Sequence, residues 1–84
     1  MKKFKAEIDV MPHDALLDPQ GKAVNNGLQN LGLKTISNVR VGKHIVLQIE
    51  AESTTEAEKM VAEACDKLLC NKIMERYEFR VFAI

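Results

Sequence analysis

At 84 residues the chain has room for one small domain and not for a linked pair. Its 12 Lys and Arg offset 12 Asp and Glu, so it lacks the basic surplus that non-specific binding to nucleic acid or to an anionic membrane needs. A domain this short buries only roughly 60% of the surface its unfolded chain exposes, so an oligomer or a subunit is expected. The 46% apolar and 29% charged content is that of an ordinary globular domain. No apolar run approaches the ~18 residues of a transmembrane helix, and Met1 to Lys5 leads into alternating charge, so a cytoplasmic location is expected.

From Lys3 to Val10 the residues alternate, with Phe4, Ala6, Ile8 and Val10 against Lys3, Lys5, Glu7 and Asp9, which predicts a half-buried strand. Pro12 breaks this pattern within the segment Met11 to Leu17. Asp18-Pro19 then supplies an N-cap carboxylate and a proline at the first helical position. The helix that follows carries Val24, Gly27, Leu28 and Leu31 on one face, with Gly32 placed for a left-handed C-cap. Packing of that face against a sheet is the expected reason for tolerating Gly27.

A short second strand is predicted over Ile36 to Val41, a turn at Gly42-Lys43, and a third strand over His44 to Glu50 with Ile45, Leu47 and Ile49 inward, the pair forming a hairpin. Ser53-Thr54-Thr55-Glu56 has the form of a capping box. It opens a helix to about Leu69 with Ala57, Met60, Val61, Ala64, Cys65 and Leu68 on its apolar face, closed near Asn71. The last strand runs over about Glu75 to Phe82, with Tyr77, Phe79 and Val81 on one face. The order is β-α-β-β-α-β, and the commonest wrap for it is the α+β ferredoxin-like arrangement: a four-stranded antiparallel sheet with both helices on one face.

Two helices cover one face of such a sheet, leaving Lys3, Lys5, Glu7, Asp9, Arg76, Glu78 and Arg80 on the other with the apolar Val46, Phe82 and Ile84. That face is either solvated or part of an interface, and a regular C-terminal edge strand offers unpaired backbone groups to a second chain. Val46, Arg80, Phe82 and Ile84 are the candidates for self-association.

No reaction centre is visible. The positions where an RNA-binding βαββαβ sheet stacks bases hold Lys5, Glu7, Val46 and Gln48. Cys65 and Cys70 fall roughly 140° apart on a regular helix and cannot chelate together, so Cys65 is expected at the core edge and Cys70 as an incidental thiol. His13 and His44 have no nucleophile motif beside them, and Gly21, Gly27, Gly32 and Gly42 are isolated instead of forming a phosphate loop. Two segments stand out. Capping accounts for Asp18 and Pro19 but not for Gln20-Gly21, since glycine weakens a first helical turn, and the backbone amides there could meet a ligand or partner. In Val39-Arg40-Val41-Gly42-Lys43, the charges are either solvated at a turn or dock on a partner's carboxylates or phosphates.

Asp18-Pro19-Gln20-Gly21-Lys22-Ala23-Val24, Val39 to Lys43, Glu50-Ala51-Glu52-Ser53, and Cys65 to Asn71 leading to Tyr77 together resemble the PurS-type family, the small subunit of phosphoribosylformylglycinamidine synthase. The resemblance spans the chain as a single domain, residues 1–84, and departs from the family at Met11-Pro12-His13 and Lys72-Ile73-Met74. It implies a non-catalytic partner in a ligase of purine biosynthesis. There a glutaminase subunit releases ammonia, and a large synthetase subunit uses ATP and Mg²⁺ to convert formylglycinamide ribonucleotide to formylglycinamidine ribonucleotide. The small subunit, as a dimer or higher oligomer, bridges the two and assists ammonia transfer; no cofactor is expected on this chain, and neither nucleic acid nor membrane as a partner. Asp18, Pro19, Gln20, Gly21, Arg40, Gly42 and Lys43 are carried over as partner-contact or signature residues, none as catalytic. The alternative is an amino-acid-sensing regulatory domain of the ACT type, also βαββαβ.

Overall fold

A computed structural model describes residues 1–14 and 17–84. The elements are β1 (Lys2–Pro12), α1 (Pro19–Asn30), β2 (Lys43–Ala51), α2 (Thr54–Ala64), a single π turn (Cys65–Leu69) and β3 (Glu75–Ala83). The three strands form one antiparallel sheet in the order β2-β1-β3, with Ala6 opposite Leu47 on one side and Val81 on the other. The fold is thus α+β, as expected, but among the described residues its sheet has three strands and not four.

The missing strand is the one expected over Ile36 to Val41, and with it the hairpin. Asn38 sits at φ 58°, a left-handed conformation that breaks the period-two alternation a strand needs. The backbone groups nearby are committed elsewhere: the Val41 amide donates to the Asp18 carboxylate and the Ile36 carbonyl accepts from the Gln29 side chain. In the four-stranded arrangement that segment is an outer edge, so its loss leaves the order of the other three strands unchanged.

Strict alternation explains the centre of the sheet. Phe4, Ala6, Ile8 and Val10 of β1 are buried, and α2 covers them through Ala57 and Val61, with Cys65 of the π turn continuing the same face. Ile45, Leu47 and Ile49 of β2 and Tyr77, Phe79 and Val81 of β3 pack around this core but stay half-buried. Ser53 caps α2 by accepting from the Glu56 amide at 3.2 Å, while the Glu56 carboxylate accepts from the Glu52 amide, one residue earlier than a strict capping box would place it.

Two expectations about the helices are corrected. The second helix does not run evenly to Leu69: its last turn widens into the π turn, closed by the Cys70 amide donating to the Cys65 carbonyl at 3.1 Å. The extra residue in that turn returns Cys70 to the buried side beside Cys65 and rotates Leu68 out to solvent, so Cys70 is a core residue and not an incidental thiol. The first helix, in turn, does not lie on the sheet. It contributes nothing to either core cluster and has no more than marginal contact with any strand, and Val24 and Leu31 remain 46% and 76% exposed. Gly32, at φ 88°, ends it as the C-cap pattern predicts.

No helix among the described residues is long and apolar enough to cross a membrane. Ile8 is the largest side chain at the centre of the core. Ile8→Ala is expected to lower unfolding stability by about 2–5 kcal/mol, read from the urea midpoint at fixed protein concentration; a loss under about 1 kcal/mol would mean that the core is not centred on β1.

Candidate functional site

The two segments singled out in the sequence meet in space, joined by one carboxylate. Asp18 precedes Pro19, whose fixed φ starts α1, and its Oδ1 accepts from the Gly21 amide at 3.0 Å, as an N-cap side chain does. Its second oxygen, Oδ2, accepts from the Val41 amide at 2.8 Å, 23 residues along the chain. Asp18 therefore caps a helix and holds down the returning segment at the same time. These two backbone donors, with Arg40 nearby, keep its carboxyl below the usual carboxylate range.

Gly21, which capping left unexplained, is required by that closeness. It is buried, and a Cβ there would overlap both the Asp18 carboxylate and the Val39 carbonyl. Gly42 is required in the same way where the return segment reaches the sheet, since a Cβ would run into the Met11 sulfur and the Val10 carbonyl. Both glycines mark close backbone approach.

Arg40 turns inward. Its Nη2 donates to the His13 carbonyl at 2.6 Å and its Nε lies 3.9 Å from Asp18 Oδ2, so the guanidinium ties the return segment to the end of β1 and to the cap. Lys43 opens β2 and pairs with Glu75 of β3 at 3.5 Å across the end of the sheet. Gln20 and Pro19 are exposed on the first turn of α1. Asp18, Gly21, Arg40 and Gly42 thus form one tie, with Lys43 at its edge and Gln20 on its outer surface. The tie borders an open cleft of about 590 Å³ between α1 and the return segment, lined by Asp14, Leu17, Lys22, Asn25 and Asn38 as well as Asp18, Val39 and Arg40. Asn25 Oδ1 is buried in its wall without a hydrogen-bond donor among the described residues. Sequence reading missed His13 and Asn25, because nothing local marks a backbone carbonyl or an amide that matters only through a distant contact.

The self-association candidates lie elsewhere. Val46, Arg80 and Phe82 share the open face of the sheet, and Ile84 follows β3 with its amide donating to the Lys3 carbonyl. Arg80 bridges Glu7 and Asp9 at 3.3 Å each, and His44 Nδ1 is 2.6 Å from Asp9 Oδ1. The His44 bond, reinforced by Arg80, keeps the Asp9 carboxyl below its ordinary range. Charged side chains on this face thus pair with one another across three strands, beside the exposed apolar Val46 and Phe82.

The chemistry of these groups is that of contact. Burial pushes both thiols up from their ordinary pKa, away from the reactive thiolate. Among the described residues no group of three or more His, Cys, Asp or Glu side chains could hold a metal ion.

The family model described as phosphoribosylformylglycinamidine (FGAM) synthase, PurS, matches residues 5–83. The chain belongs to the PurS family. The PurS subunit of Synechocystis is 40% identical to it over 81 residues, covering 96% of this chain and 81% of that protein. Among solved structures, Bacillus subtilis PurS superposes with a TM-score of 0.83 at 35% identity, covering 94% of this chain and 98% of that one. A chain in the structure of PurLQS from Thermotoga maritima superposes with a TM-score of 0.88 at 35% identity, covering 98% and 100%. Membership in the PurS family decides against the amino-acid-sensing domain.

The Asp18 bridge has a pH signature. Its folded-state pKa is depressed, so the bridge stabilises the fold above the ordinary carboxylate pKa, and that contribution is lost as pH falls through the folded value. Asp18→Asn has one acceptor oxygen for two amide donors. It is expected to lower the melting temperature by several degrees at pH 7, with the gap from wild type closing below the normal carboxylate range. A gap independent of pH would show that the carboxylate charge is not what holds the tie.

Proposed function

We propose that this chain is the non-catalytic small subunit of the glutamine- and ATP-dependent phosphoribosylformylglycinamidine synthase. In this reading it joins the synthetase and glutaminase subunits and assists the passage of ammonia between them. The observation that carries the reading is the match over 98% of its length to a chain of the Thermotoga PurLQS structure. The geometry supports it, because the signature residues build one tie with exposed polar groups on its rim. ATP and Mg²⁺ act in the synthetase subunit, and this chain binds no cofactor of its own. It works as a dimer or higher oligomer, as a single domain in the cytoplasm, with neither nucleic acid nor membrane as a partner.

Within the signature the roles divide. Asp18, Gly21, Arg40 and Gly42 shape the tie, whereas Gln20 and Lys43 present exposed side chains beside it and are the partner contacts. A pull-down on the full chain with glutamine and Mg-ADP present is expected to recover both larger subunits, and recovery of neither would overturn the assignment. Gln20→Glu combined with Lys43→Glu is expected to keep the melting temperature within a few degrees of wild type while weakening assembly by roughly tenfold, the scale of a reversed interfacial charge. Unchanged glutamine-dependent activity of the reconstituted complex at limiting small subunit would remove these two residues from the interface.

A further inference from the structure

The return segment, residues 31–42, is pinned to the first helix at two points. The Gln29 side chain donates to the Ile36 carbonyl at 2.6 Å, and the Val41 amide donates to the Asp18 carboxylate at 2.8 Å. Lys22, Asn25 and Gln29 follow one another at i, i+3 and i+7 along α1, so they share one helix face. The Gln29 bond turns that face to the return segment. Between the two pins the segment bends at Asn38, φ 58°, and the cleft of about 590 Å³ is the space left between it and α1. Its walls are fixed by the pins and by the close approach of Gly21 to the Val39 carbonyl.

Asn25 is the position on that face whose polar group goes unanswered. Its Oδ1 is buried in the cleft wall without a donor among the described residues. Leaving a buried carbonyl oxygen unpaired costs stability, and such groups are rare in folded proteins. Turning the amide over would put an unpaired donor in the same place. The amide therefore has its use only with a group that arrives from outside the chain.

The charges of the lining indicate which group. Asp14 pairs with Arg76 at 3.3 Å, and Asp18 is engaged by two backbone amides with Arg40 beside it. Lys22 is exposed, and among the described residues no carboxylate pairs with its ammonium. The lining thus offers an unpaired cation and an unpaired amide side by side on one helix face. An incoming carboxylate matches the first, and a peptide group, which carries both N–H and C=O, matches the second. The shape selects a segment of a protein over a small molecule. Small-molecule sites enclose about 70–90% of their ligand, whereas this open cleft holds one side of its occupant.

We propose that the cleft seats an extended acidic peptide segment of a larger subunit of the complex, with a backbone amide on Asn25 and an Asp or Glu side chain on Lys22. This deepens the partner contact in the proposed function and rests on it, adding Lys22 and Asn25 to the contacts at Gln20 and Lys43.

The test uses the full chain in the reconstituted complex, read as the concentration of small subunit that gives half-maximal glutamine-dependent activity. Lys22→Glu is expected to raise that concentration roughly tenfold, the scale of a reversed interfacial charge, with the melting temperature of the isolated chain unchanged. Asn25→Leu is expected to raise it by a similar factor while the isolated chain melts at or above the wild-type temperature, since the substitution removes an unpaired buried group. A photoreactive benzoylphenylalanine at Leu17, exposed in the lining of the cleft, is expected to cross-link a peptide of a larger subunit that contains Asp or Glu. Half-saturation unchanged in either variant, or cross-links confined to this chain and its own copies, would overturn the proposal and leave the subunit assignment standing. An Asn25→Leu chain that melts well below wild type would overturn it as well, because Asn25 would then be satisfied within its own fold. A wild-type chain that confers no glutamine-dependent activity would overturn the subunit assignment itself.

Discussion

The arrangement of this chain depends on one carboxylate shared between two backbone amides. Asp18 reaches the Gly21 amide as an ordinary helix cap and the Val41 amide as a long-range clasp. A neutral cap such as serine has one oxygen and satisfies only the first of these; two accepting oxygens on a planar group allow both. The clasp brings backbone so close that only glycine fits at position 21, and the same return segment reaches β1 so closely that only glycine fits at position 42. Arg40 completes the tie through the His13 carbonyl. The family signature is in this sense a single mechanical part, and its residues are required by one another before they are required by any partner.

That part sets the direction of α1, which separates this chain from a self-sufficient two-layer domain. Elsewhere the protein follows elementary rules. The alternation of β1 buries one side against α2, and Ala57, Val61 and Cys65 meet it at helical spacing. The π turn then keeps the buried face in register for one more contact by returning Cys70 to the core, at the cost of exposing Leu68. The core that results is small. Nine apolar residues are buried among those described, none from the first helix, which fits a chain that completes its packing in an assembly.

A subunit that acts through its surfaces needs rigid presentation more than reactive groups. Charges on the open face of the sheet pair within the Glu7, Asp9, His44 and Arg80 network, the thiols are buried, and the exposed Gln20 and Lys43 stand beside the tie. These features suit a protein that positions larger partners and performs no bond-making step of its own.

By itself the sequence determined the class of the fold, the three paired strands, both helix starts, and the residues of the signature, because alternation, capping and helical spacing are local properties that neighbouring residues express directly. It also carried the family and therefore the function. It did not determine that Ile36 to Val41 would leave the sheet, since Val39 and Val41 alternate as a strand would, and only the clasp to Asp18 and the left-handed Asn38 decide otherwise. Nor did it determine why Gly21 and Gly42 are glycine, or that Cys70 is buried, or that α1 stands clear of its own sheet. Each of these rests on atoms far apart in the chain and close together in space, and a pattern that repeats every two or four residues carries no record of such contacts. The short length pointed to an oligomer or a subunit; the tertiary structure adds an apolar helix that its own clasp keeps off its own sheet.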